Sequence, residues 1–268
     1  MKIVFETSRK GHQFSTLFSN LKNFTDNVCM YFRETEIYIQ CLDDSHCCLF
    51  ECKLNAEWFK EYIFDAETDQ ATIGVNIAML NKVLVTLNDS QELSIETQPD
   101  SDKLFINFEN GASALGHFNK YFEISLVNLD NELMNVVMFD TVVDLKVESK
   151  IFCALISQLT VFDNNLTMSF TDDNIECMSS GLDGSMKASI KIDDVKEYSI
   201  AENETLTVMY SLRYVQMMCQ FNKLASVIEM GFNEESPMTM KYALDDNEEC
   251  LSFVRIHLAP KIKDEDTE

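Results

Sequence analysis

Four stretches of the chain space their apolar residues as amphipathic helices do. Phe14, Leu17, Phe18 and Leu21 fall at i, i+3, i+4 and i+7, and Phe152, Leu155, Ile156 and Leu159 repeat that spacing. Ile77, Leu80, Leu84 and Leu87 predict a helix over Asn76–Leu87; Leu212, Val215 and Cys219 predict one over Ser211–Leu224. Elsewhere the period falls to two, the spacing of strands. Val28, Met30 and Phe32 alternate in this way, as do Leu166, Met168 and Phe170. Further short strands are expected at 37–41, 47–54, 92–97, 104–108, 206–209, 227–232, 238–242 and 251–257.

The first and third helical stripes lie 138 positions apart, and the same offset aligns Phe24 with Phe162, Val28 with Leu166, Met30 with Met168 and Ile37 with Ile175. Chance agreement of two generic core patterns is the alternative, but the register crosses a change of period without a gap, which points to an internal repeat. The expected fold is therefore α+β: two similar domains, each with two helices packed on curved antiparallel sheet. Boundaries are placed at 1–121 and 140–268. The segment 122–139 reads as a semi-extended linker with apolar anchors at Leu126, Leu129 and Met134.

Composition narrows the class. With 268 residues, 46% of them hydrophobic, the chain can bury a sizeable core. No apolar run approaches the roughly 20 residues of a membrane span, and Glu6 interrupts the start before a signal peptide can form. Nine cysteines without such a signal are read as reduced thiols in a soluble intracellular protein. His46, Cys47, Cys48 and Cys52 are the one cluster that suggests metal. On a strand, Cys47 and Cys48 point to opposite faces, so packed thiols are the better reading and no metal or cofactor is expected.

The net charge is −24, yet four windows around the helices (11–24, 75–88, 149–161 and 211–227) contain no Asp or Glu, where the chain average would put about ten. They carry Lys22, Lys82, Lys150, Arg213 and Lys223, and without those five charges the remainder stands at −29. Burial could explain acid-free helices. However, Ser15, Ser19, Asn20, Asn81, Ser157 and Gln158 suggest wet outer faces, and a wet, acid-free, mildly basic surface suits a polyanion held close but loosely.

Cys41-Leu42-Asp43-Asp44-Ser45-His46 resembles the D-S-S-H turn of the eukaryotic-type DNA sliding clamps, the proliferating cell nuclear antigen family. Ile73-Gly74-Val75-Asn76-Ile77 is similar to the M-G-V-N-L that opens a helix there, and Ser211-Leu212-Arg213-Tyr214 to A-L-R-Y. His257-Leu258-Ala259-Pro260-Lys261-Ile262, followed by an acidic tail, resembles the Y-L-A-P-K-I ending. The resemblance spans the whole chain. It implies a homotrimeric ring of six similar domains that encircles duplex DNA without sequence preference, is opened by a clamp loader, and tethers polymerases and repair proteins in the nucleus or, for a viral source, at its replication site. Lys22, Lys82 and Arg213 fall on the family's DNA-facing positions, with Lys150 and Lys223 as further candidates. The partner-peptide groove would be framed by Leu42, His46, Cys47, Leu49, Leu126, Leu129, Met134, Pro237, Leu258, Ala259, Pro260 and Ile262, and would take Q-x-x-Φ-x-x-aromatic-aromatic peptides. Subunits would join edge to edge near Ala112–Tyr121 and Ser185–Ile192.

The chain also departs from the family pattern. Ser15, Thr16, Val85, Ala154, Ser157 and Gln220 stand at positions that are basic in the family, so contact with DNA is expected to be loose; His257 replaces a rim tyrosine. An enzyme is not expected, because the sequence has no phosphate loop, nucleophile elbow or H-E-x-x-H, and the acid pairs 43–44, 172–173, 193–194 and 245–246 read as solvated turns. The competing non-enzymatic reading is a clamp-fold scaffold subunit of a heterotrimer, or a viral processivity factor that forms no closed homotrimer.

Overall fold

The structure, a computed structural model, describes residues 1–65, 70–98, 101–110, 118–129, 132–245 and 250–261. The chain folds as two compact units. The first comprises Met1–Asp44, Phe50–Met134 and Leu244–Val254; the second comprises Ser45–Leu49, Asn135–Ala243 and the chain from Arg255 onward.

Elements of the first unit are β1 (Lys2–Phe5), α1 (Ser8–Leu21), β2 (Asn27–Arg33), β3 (Glu36–Leu42), β4 (Cys48–Asn55), β5 (Phe59–Ile63), β6 (Gln70–Asn76), α2 (Ile77–Leu84), β7 (Gln91–Glu96), β8 (Lys103–Asn110) and β9 (Lys120–Ser125). The second unit has β10 (Val143–Glu148), α3 (Ser149–Leu159), β11 (Asn165–Phe170), β12 (Asn174–Gly181), β13 (Gly184–Lys191), β14 (Glu197–Ser199), β15 (Leu206–Ser211), α4 (Leu212–Cys219), β16 (Val227–Phe232), β17 (Met238–Ala243) and β18 (Phe253–Leu258).

The first unit orders its strands β5-β1-β7-β8-β9 and β4-β3-β2-β6; the second orders them β14-β10-β16-β17-β18 and β13-β12-β11-β15. Adding nine to every strand number of the first arrangement gives the second. The repeat read from apolar spacing is thus also a repeat of topology, and it extends to hydrogen bonds. Ile77 N–H donates to Asp26 C=O at 2.9 Å where α2 begins, and Leu212 N–H donates to Asn164 C=O at 2.8 Å where α4 begins. Asp26 and Asn164 are themselves 138 positions apart.

The helices are α1 to α4, and their stripes face the core: Phe14, Leu17, Phe18, Leu21, Ile77, Leu80, Leu84, Phe152, Ile156, Leu159, Leu212 and Val215 are all buried. Several boundaries differ from expectation; α2, for one, ends at Leu84 rather than Leu87. Helix α1 starts at Ser8, ahead of the stripe's first residue Phe14, where Thr7 Oγ1 accepts from Lys10 N–H at 3.3 Å. Helix α4 ends at Cys219 and tightens into a 3-10 turn over Gln220–Lys223. Pairing of β9 with β8 runs on through Ser125, so irregular chain begins at Leu126 rather than at Phe122.

Alternation holds in β11 but not in β2. In β11 Leu166, Met168 and Phe170 are buried while Asn165, Thr167 and Ser169 are half-buried; in β2 all of Val28–Phe32 are buried. The extra cover comes from the irregular segment. Cys29 pairs directly opposite Gly74 of β6, and directly paired residues share a face. A Cβ on Gly74 would lie 2.0 Å from the Val127 carbonyl oxygen and 3.2 Å from Leu129 Cγ. The stretch Val127–Leu129 therefore lies on that face, and only glycine admits it so close. Among the described residues no helix is long and apolar enough to cross a membrane.

Candidate functional site

Two sets of surface residues matter, one on the helices and one along the irregular segment. Each unit presents its helix faces in its own way. On α2, Ala78, Met79, Lys82, Val85 and Thr86 are exposed; on and just after α3, Lys150, Ile151, Ala154, Ser157, Gln158 and Val161 are. Both sets follow the spacing i, i+1, i+4, i+7, i+8, with Val161 adding i+11 in the second, which is a single helical face. On α4 and its 3-10 turn the exposed face carries Arg213, Gln216, Gln220 and Lys223. Lys22, at the C-cap of α1, is exposed too, so all five expected cations reach solvent.

The faces are less purely polar than expected. Ser15 is buried, and Ser19 Oγ donates to Asn81 Oδ1 at 2.6 Å, linking α1 to α2. These serines serve packing rather than an outer surface. Met79, Val85, Ile151 and Val161 are instead the large residues that stand out from the helices or their ends. Acids lie at the helix margins: the Asp89 carboxylate is 2.8 Å from His12 Nε2 of α1, and Glu6 pairs with Lys10 of α1 at 2.6 Å. Glu148 directly precedes α3, where a negative charge favours the helix N-terminus.

The groove candidates divide between the units. In the first, Leu42 ends β3 half-buried, Leu126 and Leu129 are half-buried, and the Met134 side chain is exposed. In the second, His46 and Cys47 are exposed and Leu49 and Pro237 half-buried. His46 sits at φ 57°, a left-handed turn position. Ala259 N–H donates to Cys47 C=O at 3.0 Å, so the expected ending and the turn do meet, with Ala259 exposed and Pro260 half-buried. Leu258 is corrected: at 1% exposure it belongs to the core, because the alternation of β18 turns it inward. His257 is buried as well and is no rim residue. Ile262 lies outside the described residues, as do residues 112–117 of the first expected edge.

Cys47 is exposed and Cys48 buried, as strand alternation requires. Several acids of the paired turns are bonded rather than merely solvated. Asp43 is buried; Asp245 Oδ2 accepts from Ser252 N–H at 2.6 Å, and Asp172 Oδ2 accepts from Asn203 N–H at 3.0 Å.

Apolar spacing alone did not reveal two exposed aromatics at the first unit's sheet edge, Phe118 and Tyr121, beside and within β9. Nor did it reveal a patch on the second unit built from Val161, Phe162 and Leu182. The tip of the β12–β13 hairpin lies against the end of α3, since a Cβ on Gly181 would come within 2.2 Å of the Phe162 carbonyl oxygen. Strands β9 and β13 each stand at the end of their sheet's order.

Comparison with known proteins identifies the family. Family models described as the N-terminal and C-terminal domains of proliferating cell nuclear antigen match residues 5–133 and 135–261. Proliferating cell nuclear antigen 2 of Drosophila melanogaster is 23% identical over 233 residues, covering 87% of this chain and 88% of its own. Proliferating cell nuclear antigen 1 of Plasmodium falciparum is 24% identical over 263 residues, 93% of each chain. Among solved structures, the antigen of Thermococcus kodakaraensis superposes with a TM-score of 0.83 at 16% identity, over 97% of this chain and 99% of that one. That of Entamoeba histolytica gives 0.84 at 17% identity, over 97% and 98%.

Proposed function

The chain belongs to the proliferating cell nuclear antigen family and is a DNA sliding clamp, and from that premise we propose how its own residues do the work. Three copies close into a ring with β9 of one copy paired to β13 of the next, so that the two sheet edges cover one another. Exposed Phe118 and Tyr121 at one edge, and Val161, Phe162 and Leu182 at the other, supply the apolar contact such a junction needs. Helices α1 to α4 face the duplex through Lys22, Lys82, Lys150, Arg213 and Lys223. The single observation that carries this reading is the exposure of these five cations on helices without acids, in a chain of net charge −24.

Sparse charge gives a sliding rather than a gripping contact. Each lysine or arginine close to phosphate adds to the salt dependence of binding, and helices dominated by Ala78, Val85, Ala154, Ser157 and Gln220 on their exposed faces add little. The acidic remainder repels DNA from every other surface. Partner proteins dock by short peptides on Leu42, Leu126, Leu129 and Met134 of the first unit and His46, Cys47, Leu49, Pro237, Ala259 and Pro260 of the second. The role is tethering, not catalysis. A loader opens the ring, and the place of work is the nucleus or a viral replication site.

The test is charge reversal of Lys22, Lys82 and Arg213 to Glu together. Loading onto a primed template and the product length of an associated polymerase should both fall by at least about tenfold, with the mass of the assembly and its melting temperature kept. Unchanged product length in the triple variant would overturn the assignment of these faces to DNA.

A further inference from the structure

The irregular residues after β9, described at 126–129 and 132–134, form a strap on the face of β6, β2 and β3 marked by Gly74 and Gln40, tied on both sides. At its start Leu126 N–H donates to Asp102 C=O at 2.8 Å and Val127 N–H to Gly74 C=O of β6 at 2.9 Å. At its far end the tie is a side chain. Gln40 of β3 is 7% exposed, and its amide makes two bonds to one residue's backbone: Oε1 accepts from Met134 N–H at 2.8 Å, and Nε2 donates to Met134 C=O at 3.0 Å. Tyr38 pairs opposite Tyr31, and Gln40 follows two residues later on the same face, which is the face the strap covers at Gly74.

The orientation of the amide is fixed from behind. Tyr38 donates its hydroxyl proton to Glu51 Oε1 at 2.5 Å, so the hydroxyl oxygen offers only lone pairs to Gln40, and Nε2 donates to it at 3.2 Å. A flipped amide would set oxygen against the Tyr38 oxygen and against the Met134 carbonyl. Arg33, stacked 5.7 Å over the Tyr38 ring, and buried Glu51 complete the support. The Met134 backbone is held while its side chain is 41% exposed. A ladder of strand bonds would have drawn the neighbouring residues into the sheet, whereas this one-residue clip leaves 132–139 outside regular structure.

We propose that Gln40 is the positioning residue of the partner-peptide surface: its amide clips the strap at Met134 and so holds Leu129 and Met134 in place for an incoming peptide. The proposal rests on the reading of that surface given above. Loss of the clip lets the strap sample other positions, and a peptide must then order it on binding, which weakens affinity without removing any contact residue.

Three variants of the full chain separate the possibilities: Gln40→Leu, which removes both bonds; Gln40→Asn, which keeps the amide but falls short by a methylene; and Tyr38→Phe, which keeps both bonds. Affinity for a synthetic peptide of pattern Gln-x-x-Leu-x-x-Phe-Phe is measured by calorimetry, and exchange of the Met134 amide proton by NMR. Gln40→Leu and Gln40→Asn should each weaken the peptide by about five- to twentyfold and speed Met134 exchange by a similar factor. Tyr38→Phe, which keeps both Met134 bonds but removes the oxygen that orients the amide, should give a smaller loss than either on both readouts. Should Gln40→Leu fail to fold, Gln40→Asn carries the test. Unaltered peptide affinity with faster exchange would overturn the positioning role, and unaltered exchange would overturn the clip itself. A wild-type chain that does not bind the peptide would instead sink the docking surface, while Met134 exchange would still judge the clip.

Discussion

Two half-buried thiols, Cys41 and Cys153, show how far burial and neighbours together decide a residue's chemistry. Burial pushes the Cys41 thiol up to about 12, with the Asp43 carboxylate adding to the shift. Cys153 moves the other way: a hydrogen bond from the Cys219 thiol favours its charged form, with Asn222 and Tyr242 helping, against the effect of burial. Cys219 is correspondingly raised, because it gives that bond. Since the thiolate is the nucleophile, iodoacetamide at about pH 8 should label Cys153 at least about tenfold faster than Cys41. Peptide mapping by mass spectrometry checks the ratio, and equal rates would mean the thiol pair is not hydrogen-bonded in solution. Nothing in the spacing of Cys153 and Cys219, 66 positions apart, announces this pair. It exists because α3 and α4 pack together; the neutral Cys153 thiol there donates to the Cys219 carbonyl at 3.5 Å, a bond the thiolate gives up.

At the scale of elements, the two copies of the repeat solve the same problem with different residues. The first turn of α2 is capped by the residue before it, since Asn76 Oδ1 accepts from Met79 N–H at 3.0 Å. In α4 the corresponding Ser211 makes no such cap. Asn164, from the turn after α3, reaches over to accept from Arg213 N–H at 3.0 Å. Asn76→Ala and Asn164→Ala should therefore each cost about 1 kcal/mol, and Ser211→Ala clearly less, as read from urea midpoints of the intact chain; a Ser211 effect as large as that of Asn164 would refute the assignment. Local pattern carried what depends on near neighbours: the four helical stripes, most strands, the repeat and the exposed cations were all legible in the sequence. What depends on distant chain was not. Val28–Phe32 read as a half-buried strand because nothing in its own pattern reports the strap laid over it. Ser19 read as wet because the helix that holds its hydroxyl lies some sixty residues on. Leu258 read as a groove residue from its motif, while the alternation of β18 turns it inward. Gln40 and Met134 are 94 positions apart, so no spacing rule could join them.

At the scale of the whole molecule, the question is why a chain so acidic leaves large apolar side chains in water. Leu182 is fully exposed at the tip of the β12–β13 hairpin, in a two-residue turn between paired Gly181 and Gly184 where Asn, Asp or Gly would serve the backbone better. It contributes nothing visible to the stability of its own unit, and its hairpin tip, where Gly184 lies against the Phe162 ring, adds it to exposed Val161 and Phe162 beside a strand at the end of its sheet. Such patches mark interaction sites. Within the proposed ring Leu182 is desolvated by the next copy, and burying a charge there without a partner would cost several kcal/mol per junction. Leu182→Asp should consequently leave the fold and melting of the isolated chain nearly unchanged while lowering the sedimenting mass from three times 30.8 kDa towards a single copy. Because a ring needs every junction closed at once, the dissociation should be steep in protein concentration, and tethering on DNA should be lost with it. If Leu182→Asp sediments at the wild-type mass, the hairpin tip lies outside the junction. If the unaltered chain sediments as a monomer at micromolar concentration, closure by three copies is wrong whatever the helix faces do.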